Sequence, residues 1–159
     1  MFVLGVDPGL SRCGYCVLDP VGPRVVAIGV LRTEPGEPVS QRLAVLQRDI
    51  RALLDEFEPA EVAIERVFFQ NNVRTAMSVG QASGVVMAEC ATRGCAVTEY
   101  SPNQVKEAVA GYGAAPKDQV QKMIQTLLRL PSPPRPADAA DAAAVALCHL
   151  AHVPLAGRR

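Results

Sequence analysis

The apolar positions near the start of the chain form short runs, and these runs predict strands. They lie at 2–6, 14–18 and 25–31, and turn residues such as Pro-Gly and Gly-Pro separate them. Short apolar runs bounded by such residues are typical of buried strands. Because short connections join antiparallel neighbours, the first part of the chain is predicted to form a three-stranded antiparallel sheet.

The middle of the chain alternates helices with strands. After Ser40 apolar residues recur at spacings of three and four, which predicts a helix that Ser40 caps and Pro59 ends. The sequence EVAIE at 61–65 predicts a strand parallel to an earlier one, since a helix precedes it. A second helix is predicted over 74–93, and a fifth strand over 96–100.

Three further helices are predicted in the C-terminal third. The sequence SPNQ at 101–104 is a capping box with proline at the first helical position, so a helix begins there and runs to Gly111. A second begins near Lys117, and an alanine-rich third covers 137–152. The order βββαβαβααα predicts an α/β fold, with a five-stranded mixed sheet that carries helices on both faces.

Length and charge narrow the classes of protein. A chain of 159 residues is predicted to form one domain, over 1–152, with a flexible tail at 153–159. Its 16 Lys and Arg balance its 16 Asp and Glu, so any nucleic acid must be held by a local basic patch. No secretory signal or membrane-spanning apolar run is present in the sequence, which predicts a cytoplasmic protein with no membrane partner.

The five cysteines indicate a reducing compartment, because their odd number and irregular spacing do not fit a disulfide framework. Cys13 and Cys16 have the spacing of a zinc pair. No second such pair follows, however, and His149 and His152 lie at the other end of the chain. Apolar packing is therefore the preferred interpretation of these two cysteines.

Small residues recur four apart in the second predicted helix, at Ala76, Gly80, Gly84 and Ala88. Glycine inside a helix costs about 1 kcal/mol relative to alanine, so close packing is expected to compensate. The sheet or a partner helix would provide that packing. This stripe is a candidate dimer face.

Carboxylates mark the ends of two predicted strands and the start of the last helix. Asp7 follows FVLGV and Glu65 ends EVAIE, so both reach the same sheet edge if these strands are parallel neighbours. Asp138 and Asp141 share one helical turn, where capping alone is the simpler explanation. Four gathered acids would repel one another unless a divalent cation lay among them. Mg²⁺ or Mn²⁺ suits such oxygen ligands, and two such ions would activate a water for phosphodiester hydrolysis.

Five stretches of the sequence, in order, resemble the RuvC-type Holliday junction resolvases of ribonuclease H-like fold. They are LGVDPGLSRCGY, AIERVFFQNN, GQASGVVMA, SPNQVKEAVAGYGAAPKDQVQKM and ADAADAAAVALCH. The resemblance implies a homodimer that nicks two opposing strands of a four-way DNA junction and leaves 5′-phosphate and 3′-hydroxyl ends. It implies that a RuvA–RuvB branch-migration motor is a partner. It also implies that Asp7, Glu65, Asp138 and Asp141 hold two divalent metals and are catalytic.

The same resemblance and the local chemistry suggest which residues face DNA. The candidates are Phe68, Phe69, Arg66, Arg74, Lys106 and Lys117. The resemblance favours Phe68 for stacking on an unpaired base, although core packing explains either ring equally well. Lys106 and Lys117 occupy family positions associated with cutting and flank a glycine-rich loop. With the two arginines they would bind phosphates.

Two departures from the family pattern concern single positions. Ser83 stands where many members carry arginine, so one phosphate contact is missing or moved. Asp138 stands where some members carry histidine, so its share of metal binding is the least fixed.

Other functions fit parts of the sequence. The stretch GVDPGL also suits YqgF-like nucleases of the same fold, which act on RNA, although the region 101–122 matches resolvases better. An actin-like or sugar-kinase-like nucleotide-binding module would use an Asp-x-Gly turn for phosphate, but that fold needs two lobes. An inactive DNA-binding scaffold would not need all four acids.

Overall fold

The computed structural model describes residues 1–66 and 73–153, and its strands form one five-stranded sheet. The strands are β1 (Val3–Asp7), β2 (Arg12–Asp19), β3 (Arg24–Arg32), β4 (Glu61–Glu65) and β5 (Ala96–Tyr100). The helices are α1 (Val39–Phe57), α2 (Val73–Thr92), α3 (Pro102–Ala110), α4 (Lys117–Leu127) and α5 (Ala137–His152).

The sheet has the order β3-β2-β1-β4-β5 and is mixed, as predicted. The first three strands are antiparallel, whereas β4 runs parallel to both β1 and β5. Val6 lies opposite Ile64, so the next residues, Asp7 and Glu65, reach the same edge of the sheet. We call this the carboxyl edge, where β1, β4 and β5 end, β2 begins and β3 ends.

Two hydrophobic cores cover the two faces of the sheet. One face packs against α1 and α2 through residues such as Leu4, Val6 and Ile64. The opposite face packs against α3, α4 and α5, and we call it the α5 face. Because side chains alternate along a strand, Ala63 points to the α5 face between Val62 and Ile64, which point away from it.

Helix α5 is buried along most of its length and lies directly on the sheet. Its alanine side chains are short, and glycines of β1 and β2 lie directly beneath the helix. A Cβ on Gly5 would stand 2.3 Å from the Ala142 carbonyl oxygen, and one on Gly14 would stand 1.9 Å from that of Asp138. The helix backbone therefore approaches β1 and β2 more closely than any larger residue would permit.

A polar contact fixes the C-terminal half of α5. His149 is buried, its Nδ1 lies 2.9 Å from the Tyr100 hydroxyl, and its Nε2 hydrogen-bonds the Glu61 carboxylate. Both partners come from the parallel strands β4 and β5. This network orients α5 relative to the strands that carry the predicted site.

The predicted bounds of β4, β5 and α5 agree with the structure, and so does the capping box of α3. There, the Gln104 backbone N–H donates to Ser101 Oγ at 3.1 Å, and the Ser101 N–H donates to Gln104 Oε1 at 2.8 Å. The predicted cap of α1 is wrong. Pro38 occupies the N-cap without a side-chain hydrogen bond, and Ser40 lies inside the helix.

The small-residue stripe of α2 does not pack as one surface. Ala76 is buried, whereas Gly84 and Ala88 are exposed. A Cβ on Gly80 or Gly84 would meet nothing within 4 Å. The expectation that the sheet covers this stripe is therefore wrong, and this side of α2 is open.

The structure excludes the zinc interpretation of the cysteine pair. Cys13 packs in the core beside α1 and α2, whereas Cys16 packs on the α5 face, so the two thiols point away from each other. All five cysteines are free. Over the described ranges, 1–66 and 73–153, no helix is long and apolar enough to cross a membrane.

Candidate active site

Three of the predicted acids lie together at the carboxyl edge. Asp7, Asp138 and Asp141 each offer one carboxylate oxygen, and these oxygens lie within 4.8 Å of one another. Asp7 is the last residue of β1 and points to the α5 face. The first turn of α5 reaches it because Gly14, the register partner of Asp7, allows the Asp138 backbone to approach.

Glu65 joins this group through Asp7. It ends β4, the parallel neighbour of β1, and its carboxyl group hydrogen-bonds that of Asp7. Burial raises the pKa of Asp7 far above its usual range, and the nearby charges of Glu65, Asp141 and Asp138 raise it further. These effects favour the protonated form of the Asp7 carboxyl group, and a bound cation would oppose them.

Two lysines offset part of this negative charge. Burial raises the pKa of Glu65, whereas its hydrogen bond with Asp7 and the charges of Lys106 and Lys117 lower it. Burial likewise raises the pKa of Asp141, and Lys117, whose Nζ lies 3.3 Å from Asp141 Oδ2, lowers it. The site is thus a partly compensated cluster of carboxylates.

Helix capping does not explain the acids of α5. Its N-cap is Pro136, and no side chain caps the helix. Asp138 and Asp141 instead turn toward the end of β1.

The donor set fits a hard divalent cation. Carboxylate oxygens are the ligands that Mg²⁺ and Mn²⁺ prefer, and a cation would relieve the repulsion that raises these pKa values. Among the described residues, this is the one group of three or more Asp, Glu, His or Cys side chains with ligand atoms close enough to share an ion.

A cleft of about 300 Å³ opens beside the acids. Its lining combines the acids Glu65 and Asp141, the lysines Lys106 and Lys117, and apolar residues that include Val105 and Val120. The capping box at the start of α3 fixes the turn that places Lys106, and Lys117 begins α4. Such a cleft can hold a phosphate between the lysines and the carboxylates.

The other predicted DNA-binding residues have different placements. Arg66 is exposed just after β4, and its backbone N–H donates to the Tyr100 carbonyl at 2.7 Å. Arg74 is exposed in the first turn of α2. Phe68 and Phe69 lie outside the described residues. Ser83 is buried in α2 and does not line the cleft.

Two residues that shape the site were not predicted. Gly5 and Gly14 place α5, and with it Asp138 and Asp141, over the end of β1. A signal was present in the sequence, because glycine in the interior of an apolar strand marks a close backbone approach. The sequence does not reveal which element approaches.

A mixed sheet with its first three strands antiparallel, helices on both faces and carboxylates at the ends of two parallel strands is typical of ribonuclease H-like nucleases. The model of the family "Crossover junction endodeoxyribonuclease RuvC" matches residues 3–149. A protein of that name from Pseudarthrobacter chlorophenolicus is 53% identical over 136 residues, which cover 84% of this chain and 71% of the relative.

Solved structures agree with the sequence matches. The RuvC structure from Thermus thermophilus has a TM-score of 0.89 at 36% identity and covers 96% of this chain and 95% of its own. The same protein in complex with a Holliday junction substrate has a TM-score of 0.87 at 34% identity, with coverages of 96% and 94%. The chain therefore belongs to the RuvC family of crossover junction endodeoxyribonucleases. This membership selects the resolvase interpretation over the YqgF-like and actin-like alternatives.

Proposed function

We propose that this chain resolves four-way DNA junctions by paired, symmetric nicks that leave 5′-phosphate and 3′-hydroxyl ends. The observation that carries the proposal is the carboxylate cluster of Asp7, Asp138 and Asp141 beside a cleft with two lysines. The junction complex of the T. thermophilus relative supports the choice of substrate.

We assign Asp7, Glu65, Asp138 and Asp141 as ligands for two Mg²⁺ or Mn²⁺ ions. When bound, such a pair of ions activates a water and stabilises the leaving oxygen of a phosphodiester. The acids fix where the ions sit because all four belong to rigid elements. Asp7 and Glu65 end strands β1 and β4, and Asp138 and Asp141 lie near the start of α5. Burial and mutual repulsion raise the pKa values of Asp7 and Glu65, and bound cations would lower them again by neutralising the cluster.

Lys106 and Lys117 hold the phosphate that is cut. Lys117 Nζ lies 3.3 Å from Asp141 Oδ2, and it exchanges that contact for a phosphate oxygen when the substrate enters. Lys106 lines the same cleft. Together they keep the reacting phosphorus beside the acids and neutralise its oxygens.

Contacts outside the cleft select the junction. Arg66, just after β4, and Arg74, in the first turn of α2, bind backbone phosphates. Phe68 stacks on an unpaired base at the junction centre, or Phe69 does so in its place.

A homodimer through α2 would place two such sites on one junction. The exposed side of α2 carries Val73 and Met77, which are 69% and 61% exposed, and continues over the open surfaces of Gly80 and Gly84. Exposed apolar residues next to open glycines permit two helices to approach closely. We also propose RuvA and RuvB as partners, on the family resemblance.

The five free cysteines support a cytoplasmic location, because thiols stay reduced there. We also propose that 1–152 forms one domain; residues 154–159 of the predicted tail lie outside the described residues.

The test is cleavage of a synthetic four-way junction while Mg²⁺ and Mn²⁺ are titrated separately. Duplex DNA, an RNA–DNA hybrid and ATP are tested in parallel. We expect junction-specific nicks, and Asp7→Asn or Asp141→Asn should slow cleavage on the order of a thousandfold or more, since each removes a metal ligand. Asp49→Asn, which alters an acid paired with Arg48 on α1, is the matched control.

A second measurement does not depend on activity. Mn²⁺ should raise the melting temperature of the wild type and of Asp49→Asn but not that of Asp7→Asn. Cutting of RNA–DNA hybrid instead of junctions, or equal cutting by Asp7→Asn, would overturn the proposal.

A further inference from the structure

The ends of strands β2 and β3 at the carboxyl edge carry two arginines directly opposite each other. Arg12 begins β2, Arg32 ends β3, and the register pairs them. Both side chains are exposed. Like charges in directly opposed positions of antiparallel strands destabilise the pair.

The other end of the same two strands has the opposite arrangement. There the register pairs Asp19 with Arg24, and Arg24 Nη2 lies 3.2 Å from Asp19 Oδ2. A backbone hydrogen bond from Val21 lowers the pKa of Asp19, and Arg24 lowers it further. One end of the ribbon thus contains its own counter-ion, and the end nearest the site does not.

The arginine pair lies on the same face of the sheet as the acids. Gly14 points to the α5 face, so Arg12, two residues before it, points there too. Ile28 also packs on the α5 face, and Arg32 is four residues further along β3. Because Gly14 is the register partner of Asp7, Arg12 lies about 7 Å along β2 from the level of Asp7.

No acid in the described residues forms an ion pair with either arginine. Neither guanidinium forms a hydrogen bond or ion pair within 1–66 and 73–153. The cations that lower the pKa of Glu65 are Lys106 and Lys117. Glu34 and Glu37 follow in the exposed loop after β3, and neither forms an ion pair there.

A third guanidinium adds positive charge at this corner. Arg42 of α1 donates from Nη2 to Ser11 Oγ at 2.7 Å and from Nε to Thr33 Oγ1 at 3.0 Å. Thr33 Oγ1 in turn donates to the Leu10 carbonyl. These bonds fix the residues just before β2 and just after β3 with neutral hydroxyls, so the charge of Arg42 is not cancelled.

We propose that Arg12 and Arg32 bind backbone phosphates of a junction arm, on the side of the acids away from the two lysines. The sheet order places β3 and β2 on one side of β1, and β4 with the lysine cleft on the other. A DNA strand that crosses the carboxyl edge therefore meets the arginines, then the acids, then the lysines. Guanidinium groups bind phosphate with paired hydrogen bonds, and a phosphate bound at each arginine offsets the repulsion between the two. This inference rests on the proposed function.

The test measures junction binding by fluorescence anisotropy at several salt concentrations, with EDTA present so that no DNA is cut. The double variant R12A/R32A should bind more weakly, and its slope of log K against log salt should be smaller by about 1.8 for each protomer on the junction, since each lost phosphate contact removes about 0.9. Arg24→Ala is the matched control, because it removes the same side chain from the opposite end of β3. Its slope should equal that of the wild type.

Arg12→Glu separates binding from folding. It gives β2 and β3 an opposite-charge pair like that of Asp19 and Arg24, so we expect a melting temperature at or above that of the wild type together with weaker DNA binding. If the wild type binds and cuts junctions and the slopes of R12A/R32A and R24A agree, the inference is wrong and the proposed function stands. If the wild type does not bind junctions, both are wrong.

Discussion

The two glycines beneath α5 decide where the acids of that helix stand. Asp138 and Asp141 can share a cation with Asp7 only if their helix lies close to the end of β1. Gly5 and Gly14 permit this close approach because glycine has no side chain. The chemistry of the site thus depends on residues without functional groups. A change there should affect folding and cation binding together.

Gly14→Ala tests this dependence. Its Cβ would stand 1.9 Å from the Asp138 carbonyl oxygen, so α5 must move away from the sheet. We expect a loss of about 1–3 kcal/mol in the free energy of unfolding, which corresponds to a melting temperature lower by roughly 2–10 °C. The rise in melting temperature with Mn²⁺ should also shrink, because Asp138 and Asp141 move away from Asp7.

Gly36→Ala is the control for that change. Gly36 lies in the exposed loop before α1, where a Cβ meets nothing within 4 Å. Both melting temperature and Mn²⁺ response should match the wild type. A Gly14→Ala protein with a wild-type Mn²⁺ response would show that the acids do not need the close approach.

Single residues differed in how well the sequence identified their roles. Asp7 and Glu65 could be placed at one edge because each follows an apolar strand and the intervening helix implies parallel pairing. Asp138 could not be distinguished from a helix cap, since both roles favour an acid in the first turn. The opposition of Arg12 and Arg32 depends on the register of two strands, and neither residue shows it by itself.

At the scale of elements, α1 and α2 are joined by a buried carboxylate. Glu89 of α2 accepts hydrogen bonds from Arg51 at 2.9 Å and from Gln47 at 2.6 Å, both on α1. These bonds lower the pKa of Glu89, the bond from Arg51 having the largest effect. This contact holds α2 in place at the end of the helix away from Val73.

Glu89→Gln should lower the melting temperature at pH 7 by a few degrees, because the charged hydrogen bonds to Arg51 are lost. The folded pKa of Glu89 lies below its unfolded value of about 4.3, so its contribution is fully present above that pH and is lost as the pH falls through the folded pKa. The difference between variant and wild type should therefore shrink in acid.

Thermal unfolding from pH 7 down to pH 3 measures this effect. Glu56→Gln, at an exposed position of the same helix pair, should follow the wild type throughout. If the difference in melting temperature between Glu89→Gln and wild type stays constant with pH, the charge of Glu89 does not contribute to stability and packing alone explains the effect.

The apolar pattern predicted which elements exist better than where they end. Strands β2 and β3 extend beyond their apolar runs, because polar residues such as Asp19 and Arg24 continue the ladder of backbone hydrogen bonds. The capping box of α3 could be predicted from four residues, since its hydrogen bonds are local. Helix α1 starts at Val39 after Pro38 without such bonds, and the pattern wrongly favoured Ser40.

At the scale of the whole molecule, the charge is neutral but unevenly placed. Sixteen basic residues balance sixteen acidic ones, yet Arg12, Arg32, Lys106 and Lys117 all lie at the edge that carries the acids. A neutral protein is not attracted to DNA over long distances. Binding must therefore come from local groups of basic residues such as this one, and two copies acting on one junction would double the number of phosphate contacts.

The proposed dimer should depend on the open side of α2. Met77→Glu places a charge among residues that would be buried between two copies, and we expect the dissociation constant of the dimer to rise on the order of a hundredfold. Val21→Glu is the control, because Val21 is 72% exposed at the β2–β3 turn, away from α2. Sedimentation velocity over a range of concentrations measures both.

The products of cleavage then report whether dimerisation couples the two nicks. A junction that receives both nicks within one binding event gives linear duplexes directly, whereas separate monomers give singly nicked junctions first. Met77→Glu should accumulate the singly nicked form under conditions in which wild type and Val21→Glu do not. Its single-nick rate per site should stay close to the wild-type rate, since Met77 is exposed on α2 and does not line the cleft. If Met77→Glu is monomeric and still makes paired nicks, dimerisation through α2 does not couple the two nicks. If Met77→Glu remains dimeric, the dimer interface lies outside the open side of α2.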